Sequence, residues 1–209
     1  MMESIDFSNI AKKYRKISTA QSSASEILFN LIDIKSQESV LDIGCGTGNL
    51  TSKIKDLTSG KVIGIDLSEG MINEAVESNG NCGIQFFAKN IQDIIYEKEF
   101  DAVFCNSALQ WFADISLSLN KLYKALKSGG RIAVQAPATV LYCPNFVDAI
   151  NGIMNKDEKL SKVFSSFKSP WLFLETAEEY SLLFEQAGFE VVLSRIETQP
   201  GLFTPEKVF

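Results

Sequence analysis

From position 40 onward the chain alternates short β-branched runs with helical patterns, and no other feature narrows its fold so far. Runs at 39–43, 61–65, 84–88, 102–105 and 131–135 read as buried strands. Between them, Leu50, Ile54 and Leu57 recur at helical spacing, and Met71, Ala75 and Val76 mark a second helical face. Ile115, Leu119, Leu122 and Leu126 give a third apolar stripe, which Gly129 and Gly130 close as a C-terminal stop. Strands separated by helices pair in parallel. The pattern therefore predicts an α/β fold, a doubly wound and mainly parallel sheet.

The flanks break the alternation. Residues 5–34 are helical by pattern and precede the first strand, where they can fold over a ligand as a cover. Residues 138–172 carry Pro144 and Pro170 among Tyr142, Phe146, Phe164, Phe167 and Trp171. An interruption at that point reads as an inserted, substrate-covering element. An amphipathic helix follows at 176–187, stopped by Gly188, and 189–196 reads as a sixth strand. Thr204-Pro205-Glu206 then has the form of a helix start, an N-cap followed by proline at the first helical position.

Composition removes several chemistries. The 209 residues contain no histidine, so no Ser-His or Cys-His couple, His-ligated metal or His general base can exist within them. Cys45, Cys82, Cys105 and Cys143 are scattered without a C-x-x-C pair, which argues for reduced thiols in a cytoplasmic protein rather than a disulfide frame or zinc site. A net charge of −6 speaks against a nucleic-acid footprint. No apolar run approaches the length of a membrane span, and the first residues lack the form of a secretory signal.

The stretch Asp42-Ile43-Gly44-Cys45-Gly46-Thr47-Gly48 follows the first strand, at the end of the sheet where doubly wound folds bind ligands. Its glycines allow a sharp turn and close approach of a ligand to the backbone. Asp66 ends the second strand, twenty residues after Gly46, where it can accept hydrogen bonds from ribose hydroxyls. Two cofactor classes compete for such a turn. A nicotinamide dinucleotide favours G-x-G-x-x-G, because its pyrophosphate sits on the helix N-terminus. Here the spacing is G-x-G-x-G, and the carboxylate of Asp42 would repel a pyrophosphate while suiting a cationic, amino-bearing ligand. That points to S-adenosylmethionine.

The residues carrying this reading resemble a known family. VLDIGCGTGNL (40–50) is similar to the first motif of class I S-adenosylmethionine-dependent methyltransferases. The likeness continues through VIGIDLSEGMINEA (62–75), FDAVFCNSALQWF (100–112) and LYKALKSGGRIAVQAP (122–137). Ala108-Leu109-Gln110-Trp111, AVQAP at 133–137, Tyr14, Gln21 and the stretch 169–189 look most like the trans-aconitate and malonyl-carrier methyltransferase branch. The resemblance implies a Rossmann-like core in which Asp42, Gly44, Cys45, Gly46 and Gly48 contact the methionine part of the cofactor. It implies Asp66 on the ribose, Leu67 and Met71 flanking the adenine, and Asn90 and Ile91 reading its edge. Asn90 stands where the family usually has an aspartate, yet its oxygen remains an acceptor. Asn106, Ser107 and Ala108 would lie beneath the methionine moiety. Gln110 and Trp111 would face the methyl, with Tyr14 and Gln21 on the substrate side.

The expected domain is single, 1–209, with a helical cover (5–34), a cofactor-binding core (36–137), a substrate-covering insertion (138–172) and a C-terminal helix and strand (173–209). The family's antiparallel seventh strand is missing before Phe209, so a longer natural chain is expected. The resulting expectation is a methyltransferase acting on a small-molecule or carrier-bound carboxylate by in-line transfer, with no catalytic side chain and no metal. An ionised carboxylate needs no general base. Two alternatives stand beside it: a non-catalytic cofactor-binding protein, and a nicotinamide-dependent oxidoreductase. The basic cluster Lys12, Lys13, Arg15 and Lys16 reads as a solvated helix face before it reads as a dock for an acidic carrier.

Overall fold

The computed structural model describes residues 19–79, 82–139, 148, 151–152, 154–156, 158–165 and 172–198. Among these, α1 (Thr19–Ile32) leads into β1 (Val40–Ile43), α2 (Asn49–Leu57), β2 (Val62–Asp66), α3 (Glu69–Asn79) and β3 (Ile84–Ala88). Then come β4 (Phe100–Asn106), α4 (Ile115–Ala125), β5 (Leu126–Gln135), α5 (Glu158–Ser165) and α6 (Ala177–Gln186). Short 3-10 turns at Ile91–Asp93 and Leu109–Trp111 follow β3 and β4.

The sheet runs β3-β2-β1-β4-β5 and every pairing is parallel. Parallel central strands are covered on both faces, which explains why β1 and most of β4 read as continuous buried runs. Alternate side chains go to opposite layers. Leu41, Ile43, Val103 and Cys105 join Leu119 and Leu122 of α4, while Val40, Ala102 and Phe104 join Leu28 and Ile32 of α1 and Ile54 of α2. The order reverses between β1 and β4, and a ligand crevice belongs at the carboxyl ends of those two strands.

Part of the expected cover is core. Leu28 and Ile32 of α1 are buried, and Phe29 stacks on Phe104 with ring centroids 4.7 Å apart. Arg131 fixes the end of this helix: Nε and Nη2 donate to the carbonyls of Ile32 (2.5 Å) and Asp33 (2.7 Å), and the guanidinium forks onto Glu38 at 2.6 and 2.8 Å. Arg131 lies opposite Ala102 and Phe29 lies on Phe104, so α1 runs against the strands and its earlier turns extend toward their carboxyl ends. Gln21 lies in those earlier turns, though its side chain is outside the described residues. So are Tyr14, most of 138–172, and the helix start at Thr204.

Two expectations are corrected. The helix carrying Ile115, Leu119 and Leu122 ends at Ala125, and Leu126 already pairs with Phe100 as the first residue of β5. Gly129 and Gly130 lie within β5, where 127–130 bulge out before Arg131 resumes pairing opposite Ala102; Gly129 takes φ 75° to make that turn. The sixth strand is also absent: 189–196 forms no ladder among the described residues. Phe189 closes α6 through its N–H to the Phe184 carbonyl and packs edge-on against Tyr123, but Val192 is 92% exposed. A run rich in β-branched residues makes a strand only beside a neighbour that offers hydrogen bonds.

Candidate functional site

Asp42 is the third residue of β1, in register with Gly64 and Phe104, and only 2% exposed. One carboxylate oxygen accepts the Thr51 hydroxyl of α2 at 2.6 Å. Burial raises this carboxyl to about 7, against the bond from Thr51, and the nearby Asp66 pushes it in the same direction. Burial also raises Asp66, although it accepts the N–H groups of Gly46 and Ser68, both at 2.9 Å. Asp66 thus ties the glycine turn to the start of α3.

The three glycines do different work. Gly44, at φ 69°, abuts the turn after β4 so closely that a Cβ on it would lie 2.3 Å from the Ala108 Cβ. Gly48, at φ 77°, lets the chain pack on Phe86 and Asn79. Gly46, at φ 53°, faces open space, with nothing within 4 Å of its missing Cβ. The amides of this turn are already committed. Gly44 and Cys45 donate to the Ile65 carbonyl, Gly46 to Asp66, and Gly48 to the Cys45 carbonyl. A phosphate would meet two carboxyl groups here and none of these four N–H groups.

Cys45 is 8% exposed, its sulfur pressed toward Gly64, and burial holds its thiol well above the usual range. Cys105 is pushed to about 12 by burial and by Asp42. Both thiols stay protonated near neutral pH, so neither is a nucleophile.

After β4 the chain makes a strained turn. Ser107 adopts φ 58°, and Gln135 holds it there from the end of β5. The Ser107 N–H donates to the Gln135 carbonyl at 2.7 Å and its hydroxyl donates to Gln135 Oε1 at 2.9 Å. In the sequence Gln135 stands out only as a lone amide closing an apolar strand, a signal that assigns it no role. Thr51 was missed too, being one hydroxyl among many on a helix. Gln110 is 7% exposed and Trp111, next to it, is 38% exposed. The Leu172 N–H reaches the Gln110 carbonyl at 3.0 Å, so the chain returning from the insertion is fastened to this turn.

Leu67 and Met71 follow β2, and Asn90 and Ile91 follow β3. The bond from Lys89 N–H to the Asp66 carbonyl (2.8 Å) brings these two strand ends together. Leu67 is 54% exposed, whereas Met71 and Ile91 are buried. Asn90 caps the turn that follows it, its side-chain oxygen accepting the Gln92 N–H at 3.0 Å. No group of three or more Cys, Asp or Glu able to hold a metal occurs among the described residues. Nor is any helix there long and apolar enough to cross a membrane.

Two observations test whether an adenosyl sulfonium donor suits this crevice: the buried acid Asp42 with the half-buried acid Asp66, and two buried acceptor atoms without donors, Asn106 Oδ1 and Gln110 Oε1. All suit a cationic, donor-rich ligand.

Known proteins agree. The profile of a family described as a methyltransferase domain matches residues 34–188. A malonyl-[acyl-carrier protein] O-methyltransferase of Acetivibrio thermocellus is 33% identical over 61% of this chain and 46% of its own length. A putative methyltransferase, 235L, of Invertebrate iridescent virus 6 is 31% identical over 91% of this chain and 69% of its own. The chain thus spans about half the length of the first of these and about two thirds of the second. Among solved structures, an S-adenosylmethionine-dependent methyltransferase of Thermotoga maritima, described as a possible histamine N-methyltransferase, superposes with a TM-score of 0.60. It is 21% identical, covering 88% of this chain and 80% of that one, a likeness of fold alone. Strand order, glycine turn and profile converge: the chain belongs to the methyltransferase domain family, in the class I group that depends on S-adenosylmethionine.

Proposed function

We propose that this domain binds S-adenosylmethionine in the crevice between β1 and β4 and methylates a carboxylate on a small molecule or a carrier-bound acyl group. The observation that carries the reading is the glycine turn itself: one buried and one half-buried acid, with the amides of Gly44, Cys45, Gly46 and Gly48 consumed internally, favour a sulfonium donor over a dinucleotide phosphate. When bound, the cofactor supplies a methyl group already activated on a sulfonium leaving group. Asp42 and the 44–48 turn would seat its methionine part, and Asp66 would take the ribose. Leu67, Met71, Asn90 and Ile91 would line the adenine end, and Asn106, Ser107 and Ala108 would floor the methionine end.

No side chain in this reading acts as nucleophile or base. A carboxylate acceptor is ionised at neutral pH, and the buried thiols are not. The rate then comes from holding acceptor and methyl in line, an arrangement worth roughly 7–11 kcal/mol in well-oriented pairs. Trp111, 38% exposed in the turn after β4, would meet the acceptor, with Tyr14 and Gln21 on the same side by family resemblance. The carboxylate assignment leans on the malonyl-carrier relative, which by its name methylates a carrier-bound acid. Incubation with methyl-labelled S-adenosylmethionine and either malonyl-loaded carrier protein or trans-aconitate, followed by mass spectrometry, tests it. A methyl ester is the expected product. Tight cofactor binding with no product on either acceptor would instead favour the non-catalytic reading.

A further inference from the structure

We propose that Tyr180 is a positioning residue for the methyl acceptor: its hydroxyl clasps the two stems through which 139–171 leaves and rejoins the core, and so steadies the Leu109–Trp111 turn. This rests on the methyltransferase reading above and deepens it on the acceptor side. Tyr180 lies near the start of α6, half-buried, its ring packed against the cluster that contains Leu119 and Leu122. Phenylalanine would pack there as well, so the hydroxyl is what packing leaves to explain. Its hydrogen faces the carbonyls of Ala138 (3.0 Å) and Pro137 (3.3 Å), on the outgoing stem. Its oxygen accepts the N–H of Leu174, on the returning stem, at 3.1 Å. One atom thus joins two stretches of chain that are far apart in sequence.

Further bonds close a circuit. Leu172, on the returning stem, donates its N–H to the Gln110 carbonyl at 3.0 Å. Gln135, just before the outgoing stem, accepts the Ser107 N–H at 2.7 Å and the Ser107 hydroxyl at 2.9 Å. The path therefore runs from the turn after β4 through Gln135 and Ala138 to Tyr180, then back through Leu174 and Leu172 to Gln110. Such a ring is held more firmly than its bonds taken singly, and opening one link loosens the rest. Trp111 stands beside the Gln110 link, its N–H bonded to the Ala108 carbonyl at 3.0 Å. The glycine turn is tied elsewhere: its N–H groups go to Ile65 and Asp66 of β2, across β1 from this circuit. Loss of the Tyr180 hydroxyl should accordingly disturb the acceptor side and spare the donor side.

Tyr180→Phe deletes the hydroxyl and keeps the ring. Amide hydrogen exchange of the full chain, read residue by residue by NMR, should quicken about tenfold at Leu172 as well as at Leu174. With malonyl-loaded carrier protein or trans-aconitate as acceptor, the acceptor KM should rise about 3- to 10-fold, while the dissociation constant of S-adenosylhomocysteine stays within about twofold. Ser181→Ala is the control. It removes a hydroxyl from the same helix whose bond, to the Ala177 carbonyl at 3.0 Å, stays within α6, and it should change neither quantity. Unchanged exchange at Leu172 in Tyr180→Phe overturns the proposal. So does the same rise in KM in Ser181→Ala, or a loss of S-adenosylhomocysteine affinity as large as the rise in KM. Wild type that methylates neither acceptor defeats the carboxylate reading, a separate outcome. Exchange at Leu172 then decides the clasp alone, quickened exchange supporting it and unchanged exchange overturning it.

Discussion

Replacing Asp42 by asparagine should make the empty protein more stable above neutral pH while crippling its binding of a cationic ligand. The unfolded chain holds this carboxyl near 3.8, and burial in the folded protein raises it to about 7. A group raised on folding binds its proton more tightly in the native state. Its contribution to stability is therefore intact below about 4, erodes as pH climbs to 7, and is fully lost above that. A displacement of this size corresponds to about 4 kcal/mol. Asparagine carries no charge to bury, but its amide must find an acceptor or lose about 1–3 kcal/mol. The net expectation at pH 8 is a gain of about 1–3 kcal/mol, each kcal/mol raising the melting temperature by about 2–4 °C in a domain of this size. At pH 5 wild-type Asp42 is already neutral, so the advantage should vanish or reverse. Thermal melts of both proteins at pH 5 and pH 8 check this. A variant less stable than wild type by the same margin at both values would show that Asp42 stores no buried-charge penalty. The same linkage makes wild-type affinity for S-adenosylhomocysteine rise with pH through 7, because the cation binds the ionised carboxylate.

The glycines should separate folding from binding. Gly44→Ala places a Cβ 2.3 Å from Ala108 in a left-handed conformation and should cost about 2–4 kcal/mol in urea unfolding. Gly46→Ala meets no neighbour and should cost only about 1–2 kcal/mol, yet its Cβ enters the open crevice and should abolish ligand binding by calorimetry. Arg131→Met removes the half-exposed fork onto Glu38 and two bonds to the end of α1. A stability loss of about 1–2 kcal/mol is expected, with faster amide exchange confined to that helix.

The central strands β2, β1 and β4 were readable because they are buried on both faces and need a nearly unbroken apolar run, a demand that leaves its mark in Val40, Val62 or Val103 without help from elsewhere. The glycine turn and Asp66 were readable for a similar reason, since the turn's left-handed backbone at Gly44, Gly46 and Gly48 leaves little choice of residue. What depended on a distant partner was not. Leu126 continues the helical stripe of Leu119 and Leu122, yet it serves Phe100 across the sheet. Residues 189–196 carry the β-branched, apolar composition of a strand but find no ladder among the described residues, and Leu28 with Ile32 proves to be core where a cover was expected. Gln135 and Ser107 lie 28 residues apart, and their mutual hydrogen bond has no local signature.

Parallel equilibrium titrations of the wild-type protein with S-adenosylhomocysteine and with NADH bear most directly on the crevice at the β1–β4 switch. Saturable binding of the adenosyl thioether, and none of the dinucleotide, is the expected result. Saturable NADH binding with no response to S-adenosylhomocysteine would contradict it.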